Sequence, residues 1–437
     1  MTESKGHPRR RQVLRAAVSA VALAGAAGAR PARAQSVEPF NVLAHRVHQQ
    51  VATDANRPGG DVTAEWSRRN NRRISWVTLD VAPIHDRLQR ELSLGETSID
   101  LAYAVNTAIS SRLLRQFEPL EPSMAAAPLE DPGDISAGMM RAVTLEGSLR
   151  ALPIRHATVG LFYNEDLLAE RGVPGPPATM EELVEYAQRL TYTRADGTPV
   201  HGFAFQGSSH FNMLTMAFGF DAPLIDPGMT LLPNEAGMVR MYETLRALFQ
   251  RGVLPRSFTA MGQEDVFAMI QTGRAAMALA IMGRYADFND PQKSRFPGRI
   301  KLAPAVALEA LRARVPVVAT SDFWSMAIPR NSRNKPLAWS LMRELSGKQA
   351  TIRQALNGNG PVRASAYADA RLISAVPYAA IEARVLPYAR PPLPLFEKAQ
   401  QAADVMMQTT QAVVIGQLSP ADGVAELRRR TTPLLAG

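Results

Sequence analysis

The sequence predicts an α/β protein with more than one domain, on three observations. From Gln35 onward, short apolar runs alternate with longer stretches of helical period. The chain has 437 residues, and at roughly 150 residues per domain that leans towards two or three domains. Around Leu149–Tyr163 two apolar runs follow one another with only Arg155-His156-Ala157 between them. That gap is too short for a crossover within one parallel sheet, so the chain is expected to pass from one sheet into another.

The elements follow in order. Phe40–Ala44 is a first strand, running into the polar segment His45-Arg46-Val47-His48, and Gly59-Gly60-Asp61 is a loop. Asp61 or Thr63 caps a helix ending near Asn71, and Arg73–Leu79 is a second strand. Pro83 opens a helix carrying Ile84, Leu88 and Leu92 at a spacing of four. Ile99–Val105 is a third strand, followed by a helix through Ile109, Leu113 and Leu114. Leu149–Ile154, interrupted by Pro153, and Thr158–Tyr163 are read as two strands. Helices follow at Met180–Leu190, capped by Thr179 with Glu182 three residues on, at Glu235–Arg251, and at Glu264–Thr272, ended by Gly273. Leu302–Leu308 and Val315–Ile328 read as strands, and Pro336–Ser346 as a helix.

Composition narrows the function. With 46% hydrophobic residues the chain is a packed protein, not a disordered one. The absence of cysteine removes disulfides, thiolate metal sites, iron–sulfur clusters and a cysteine nucleophile. The net charge of +9 is concentrated at the start: residues 1–34 hold seven basic residues against Glu3, leaving +3 for residues 35–437. So small a charge over so long a chain is no footprint for nucleic acid. The same start reads as a cleaved signal peptide over 1–34. Arg10-Arg11-Gln12-Val13-Leu14-Arg15 resembles the twin-arginine motif, Ala16–Ala29 is uncharged, and Ala32-Arg33-Ala34 has the small-x-small form of a cleavage site. The uncharged run is too short to cross about 30 Å of hydrocarbon. The expected product is a periplasmic protein beginning at Gln35.

Several segments, in order from about Phe40 to Leu427, resemble the extracellular solute-binding proteins of ABC importers, in the sugar-binding, maltose-binding-protein-like group. Leu152-Pro153-Ile154 and Leu161-Phe162-Tyr163-Asn164-Glu165-Asp166-Leu167-Leu168 are similar to the family's crossing strand and its Tyr-Asn-Lys-Asp-Leu element. Pro177-Ala178-Thr179-Met180-Glu181-Glu182-Leu183 resembles Pro-x-Thr-Trp-Glu-Glu-Leu. Gly273-Arg274-Ala275-Ala276-Met277 with Met282-Gly283-Arg284-Tyr285 resembles Gly-x-Ala-Ala-Met…Gly-x-Trp. Trp324–Ile328 with Asn331–Lys335, then Gly360-Pro361-Val362-Arg363, then a helix through Gly416–Pro420 complete the set. The resemblance implies a two-lobed periplasmic binding protein fold of type II, with a hinge and a ligand cleft between the lobes. Crossings are expected near Ile154–Thr158, Leu302–Ala313 and Asn359–Arg363. Lobe 1 would take 35–154 and 309–360, and lobe 2 would take 155–308 and 361–437. It further implies a monomeric receptor that passes a small polar solute, foremost a sugar, to the permease subunits of an ABC importer, meeting the membrane only through them. A non-sugar solute (polyol phosphate, organic acid or amine) and an exported carbohydrate-active enzyme stay open as alternatives.

Candidate site residues follow from strand ends and from the resemblance. His45, Arg46 and His48 follow the first strand's carboxyl end, where open α/β sheets place ligand crevices; surface polar residues are the alternative. As a metal pair, His45 and His48 have no third ligand nearby, so no metal or other cofactor is expected. Asn106 ends the third strand and is a cleft residue or a helix cap. Arg155 and His156 lie in the crossing, where the family often has an acid that pairs with sugar hydroxyls; a structural salt bridge is the alternative for Arg155. Gln206, Ser208 and His210 lie in a second-lobe loop, Gln263 precedes the Glu264 helix, and Tyr285 stands near the family's cleft tryptophan. Trp324 matches a family tryptophan that can stack on a sugar ring, packing between sheet and helix being the alternative. Asp322 and Phe323 replace the two glycines usual before it, so either the solute is smaller or Asp322 contacts it. No catalytic constellation appears: there is no Gly-x-Ser-x-Gly elbow, phosphate loop or His-Glu-x-x-His.

Overall fold

The computed structural model describes residues 39–435. The export segment expected at 1–34 lies outside them. Nine strands form one continuous ladder: β1 (Phe40–His45), β2 (Ile74–Leu79), β3 (Leu101–Val105), β4 (Leu152–Asn164), β5 (Tyr192–Thr193), β6 (Pro199–Ala204), β7 (Ala275–Ile281), β8 (Ile300–Pro304) and β9 (Ser321–Ala327). Their order is β2-β1-β3-β9-β4-β7-β6-β5, with β8 also on β4. β1 to β3 are parallel, Phe40 opposite Ile74 and Val42 opposite Leu101, so their carboxyl ends share one edge.

β4 belongs to both halves. Residues 152–158 pair antiparallel with β9, and residues 159–164 pair with β7 and β8. The two strands read from the sequence are thus a single one of 13 residues. Arg155, His156 and Ala157 keep the ladder, opposite Trp324, Phe323 and Asp322. Pro153 is tolerated because the register shifts there: the ladder passes from Arg155 to Pro153 and leaves Ile154 as the extra residue. The Ile154 carbonyl accepts instead from Asn359 Nδ2 at 2.9 Å. Next to it the His156 N–H donates to the Gly360 carbonyl at 3.0 Å. This approach needs glycine, since a methyl group on Gly360 would stand 2.2 Å from the His156 carbonyl oxygen.

Two cores flank the change of partner. One gathers Phe40, Leu43, Trp66, Leu101, Phe117, Leu152, Phe323 and Trp339 around the first sheet. In the second half β4 alternates, with Leu161 entering a cluster with Phe203 and Met277, and Phe162 entering one on the other face with Ala278 and Phe288. The crossings differ from those expected. Ile300–Pro304 is a strand of the second sheet, and Ala305–Leu308 stay in its core. The chain reaches the first half only at Thr320–Asp322, where β9 begins. After Asn359–Arg363 it remains mainly with the first core (Val362, Tyr367, Leu372, Ala379, Leu386, Ala389), apart from Tyr378, Ile381 and Val385, which pack with Phe162 and Phe288. It joins the upper core of the second half at Phe396.

Local chemistry explains the smaller differences. The helix expected to open at Pro83 opens at Val81, because proline in a first turn forfeits no internal hydrogen bond. The segment after β3 splits into a 3₁₀ turn, Asn106–Ala108, and a short helix, Ser111–Leu114, capped by Ser110. The helix expected through Gly416 ends at Val414; Gly416 takes φ 87°, and Pro420 opens the next helix.

Candidate functional site

The parallel register of β1–β3 brings their carboxyl ends, His45, Leu79-Asp80 and Val105-Asn106, to one edge. His45 turns the chain from β1 into the helix Arg46–Thr53; its Nδ1 accepts the Val47 N–H at 3.3 Å, and its Nε2 lies 4.0 Å from Asp80. Three residues on, the same helix turns His48 inward. Its buried ring stacks on Tyr103 (centroids 4.6 Å apart, planes at 26°) and meets Trp324 edge-on at 4.8 Å. Trp324 is partly exposed, its centroid 6.0 Å from that of His45. In the ladder it stands directly between Val105 and Arg155, and opposed residues share a face. The sheet therefore sets an indole and a guanidinium side by side beneath two imidazoles.

This corner is short of negative charge. Arg155 Nη1 is sealed from solvent without a hydrogen-bond partner. Burial, reinforced by the nearby Arg284 cation, lowers its pKa, and Tyr378 alone opposes them. Burial and then Arg155 hold His48 well below the usual histidine range. His45 is lowered by burial, which outweighs Asp80, and further by Arg155 and Arg46. Asp322 is only a partial counter-charge near neutral pH: burial pushes it up to about 7 against the opposing pull of Asn106, and its Oδ1 is sealed without a partner. Facing Arg155 from beyond the first sheet are Arg284, which follows β7, and Tyr378, whose ring packs on Tyr285 at 5.6 Å.

The other sequence candidates fall into groups. Asn106 accepts the Phe323 N–H at 2.7 Å, so it fixes β9 as well as lining the edge. With Thr107, His210, Leu214 and the segment Pro391–Leu395 it bounds a small hollow of about 60 Å³. Arg46 is exposed beside His45. Ser208 donates to the Met261 carbonyl at 2.8 Å, and Gln411 ties Gly207 to Thr259, so the loops carrying Gln206, Ser208 and Gln263 form one unit. Among the described residues no hydrogen bond, ion pair or ring contact joins these three to Trp324. His156 differs from the expectation of a cleft contact. It is buried with Nδ1 2.9 Å from Thr158 Oγ1 and Nε2 2.8 Å from Tyr367 Oη, which leaves neither ring nitrogen free for a solute. Among the described residues no three metal-ligating side chains gather.

Sequence reasoning missed Trp76, Tyr103, Arg284 and Tyr378. Trp76 and Tyr103 look like ordinary alternating strand residues, and only the register brings Trp76 within 6.2 Å of Tyr103. Arg284 stands inside a segment read for its aromatic, Met282–Tyr285, and its charge was the available signal. Tyr378 comes from a turn with no local signal.

Comparison with known proteins agrees with this architecture. Residues 64–352 match the family model of bacterial extracellular solute-binding proteins. A "Probable ABC transporter-binding protein" of Deinococcus radiodurans is 26% identical over 294 residues, covering 65% of this chain and 68% of that protein. Among solved structures, the sugar-binding protein MalE of Xanthomonas citri superposes with TM-score 0.75 at 20% identity, covering 91% of this chain and 98% of that one. Maltose-bound MalE3 of T. maritima gives 0.73 at 20% identity, covering 91% and 99%. A solute-binding protein of Agrobacterium radiobacter K84 in complex with ribitol gives 0.71 at 19% identity, also covering 91% and 99%. At these identities the superpositions establish the two-lobed binding-protein fold.

Proposed function

Because this chain belongs to the bacterial extracellular solute-binding proteins, we propose that it captures a small polyhydroxylated solute, a sugar or polyol, between its lobes and delivers it to the membrane subunits of an ABC importer. The single observation that carries this reading is the corner where β4 changes sheets. There Arg155, paired with Trp324 in the ladder, comes into electrostatic reach of Arg284, which follows β7 in the other half, and of Tyr378, whose ring packs on Tyr285. A partly exposed indole offers an apolar face to a sugar ring, and the imidazole and guanidinium groups donate to hydroxyls. Similar proteins hold maltose and ribitol, which agrees with that choice of solute. The protein acts by binding and closure, as an exported monomer processed near Ala34; chemistry on the solute is not part of the reading.

Closure is the test. A receptor that binds between lobes must favour its closed state when occupied. Small-angle scattering with a saturating solute, found by thermal-shift screening of sugars and polyols, should show a smaller radius of gyration. Mass analysis of the recovered solute should find it unchanged. A constant profile at confirmed saturation refutes closure, and a converted solute refutes the receptor.

A further inference from the structure

Capture of a neutral sugar leaves Arg155 without a counter-charge. The residue is set in the middle of β4, directly opposite Trp324, with Nη1 sealed and unbonded, and among the described residues it makes no ion pair. Each carboxylate nearby is otherwise occupied or displaced. Asp322, two residues from Trp324 on β9, is held by burial towards its neutral form. Glu382 accepts from Tyr367 at 2.9 Å inside the protein. Asp80 lies beside His45 with a side chain 91% exposed. The charge of the other half that acts on Arg155 is a second cation, Arg284, whose contact with Asp287 is 3.4 Å long while Asp287 is held by Lys293 at 2.6 Å. Two guanidinium groups in one partly dehydrated corner repel unless an anion stands between them, and a buried charge without a partner is strongly unfavourable. Among the described residues no acidic side chain pairs with Arg155.

We propose that the solute is itself an anion: a polyhydroxylated molecule bearing a carboxylate or phosphate that is received by Arg155 and Arg284, with its carbon skeleton against Trp324 and Tyr285. Both oxyanions present paired oxygens to the guanidinium fork, which is why arginine suits them better than a point charge would. The inference rests on the receptor reading and narrows its solute class.

Calorimetry on the exported protein decides it, with probes that share a skeleton: sorbitol, gluconate and sorbitol 6-phosphate, then glucose, glucuronate and glucose 6-phosphate. At low salt the best anionic member should bind at least about tenfold more tightly than its neutral parent, and the margin should shrink as salt is raised. Whether gluconate or sorbitol 6-phosphate gains more distinguishes carboxylate from phosphate. Arg155→Gln should erase the preference, weakening the anionic member at least about tenfold more than its neutral parent. Should that variant fold poorly, Arg284→Gln, outside the crossing strand, should reduce the same preference. Neutral parents that bind as tightly as the acids, or variants that weaken all probes equally, overturn the anion assignment and leave the receptor standing. If no probe binds, native mass spectrometry of the protein from its own cells decides: a co-purified anion supports the inference, a neutral solute overturns it, and an empty protein counts against the receptor as well.

Discussion

Trp324→Ala separates the cleft reading of this residue from a core reading, because the structure gives it some of each character. The indole is partly exposed, yet its edge meets the buried His48 ring at 4.8 Å and it packs against the first core. Removing a fully buried tryptophan costs about 3–5 kcal/mol. Since part of this one is already hydrated and the gap opens to solvent, the expected loss of stability is about 1–2 kcal/mol. On the binding side, an indole face covered by a solute contributes some part of the roughly 1.5–3 kcal/mol that full burial of a large side chain supplies. Affinity should therefore fall about tenfold to a hundredfold. Urea midpoints and calorimetry on the same preparation give both numbers. A second readout follows from the ring contacts: with its indole partner gone, His48 gains access to water, and its pKa should rise towards the ordinary range in a proton NMR titration. Affinity unchanged in the folded fraction, with the midpoint lowered by the full core amount, refutes the reasoning and removes Trp324 from the site.

Two further predictions concern the scaffold. Arg363 is wholly buried, donating to the carbonyls of Ser346, Asp131 and Glu130 and to Asp134 Oδ2; Arg363→Ala should cost about 3–5 kcal/mol in a denaturant titration, because the three carbonyls lose this donor together and Asp134, left with the Ser365 N–H and hydroxyl, loses its counter-ion. A loss below about 1 kcal/mol refutes that account. Glu382 is buried and pushed up to about 7, burial outweighing the hydrogen bond from Tyr367. A raised carboxyl pKa means that the folded state binds more protons than the unfolded one between the two values. This group's contribution is thus fully present below about 4.5 and is lost as pH rises through about 7. Glu382→Gln removes that loss, so its stability relative to the parent should improve on going from pH 5 to pH 8, by on the order of 2 kcal/mol. An equal difference at both pH values refutes it.

Much of this was legible in the sequence because it depends on local patterns. β1 and β2 were readable from apolar runs, and the helix Met180–Arg189 from the Thr179 cap, whose Oγ1 accepts the Glu182 N–H at 3.1 Å. The family motifs, each a few residues long, fixed the architecture. What failed was non-local. Whether Arg155-His156-Ala157 joins two strands or continues one depends on whether β9 lies beside it, and no window around residue 155 contains β9. The return of the chain was misplaced for the same reason: the proline-rich segment after Arg390 crosses, although Asn359–Arg363 carries the recognisable motif. Within the site, strand-end residues such as His45 and Asn106 could be proposed from position alone. The stacking of His48 on Tyr103 and the burial of His156 depend on side-chain directions that periodicity does not supply.

The continuity of β4 bears on how binding is transmitted. Up to Thr158 the strand is held by β9, by Asn359 at Ile154 and by Gly360 at His156; from Val159 its partners are β7 and β8. The change of partner falls at Thr158–Val159, where the Val159 N–H still donates to the Thr320 carbonyl at 3.0 Å while Val159 already opposes Ile281 of β7. Arg155 lies on one side of that point, and Arg284 and Tyr285, which follow β7, lie on the other. If the proposed closure turns about it, the two guanidinium groups would be pressed closer together. In the empty protein their mutual repulsion favours opening, and an oxyanion between them reverses the sign of that interaction. The solute's charge would then do more than add affinity: it would supply the differential free energy between open and closed states that a receptor needs in order to signal occupancy. Aromatic stacking on Trp324 alone, confined to one half, would bind a solute in either state and shift the equilibrium far less.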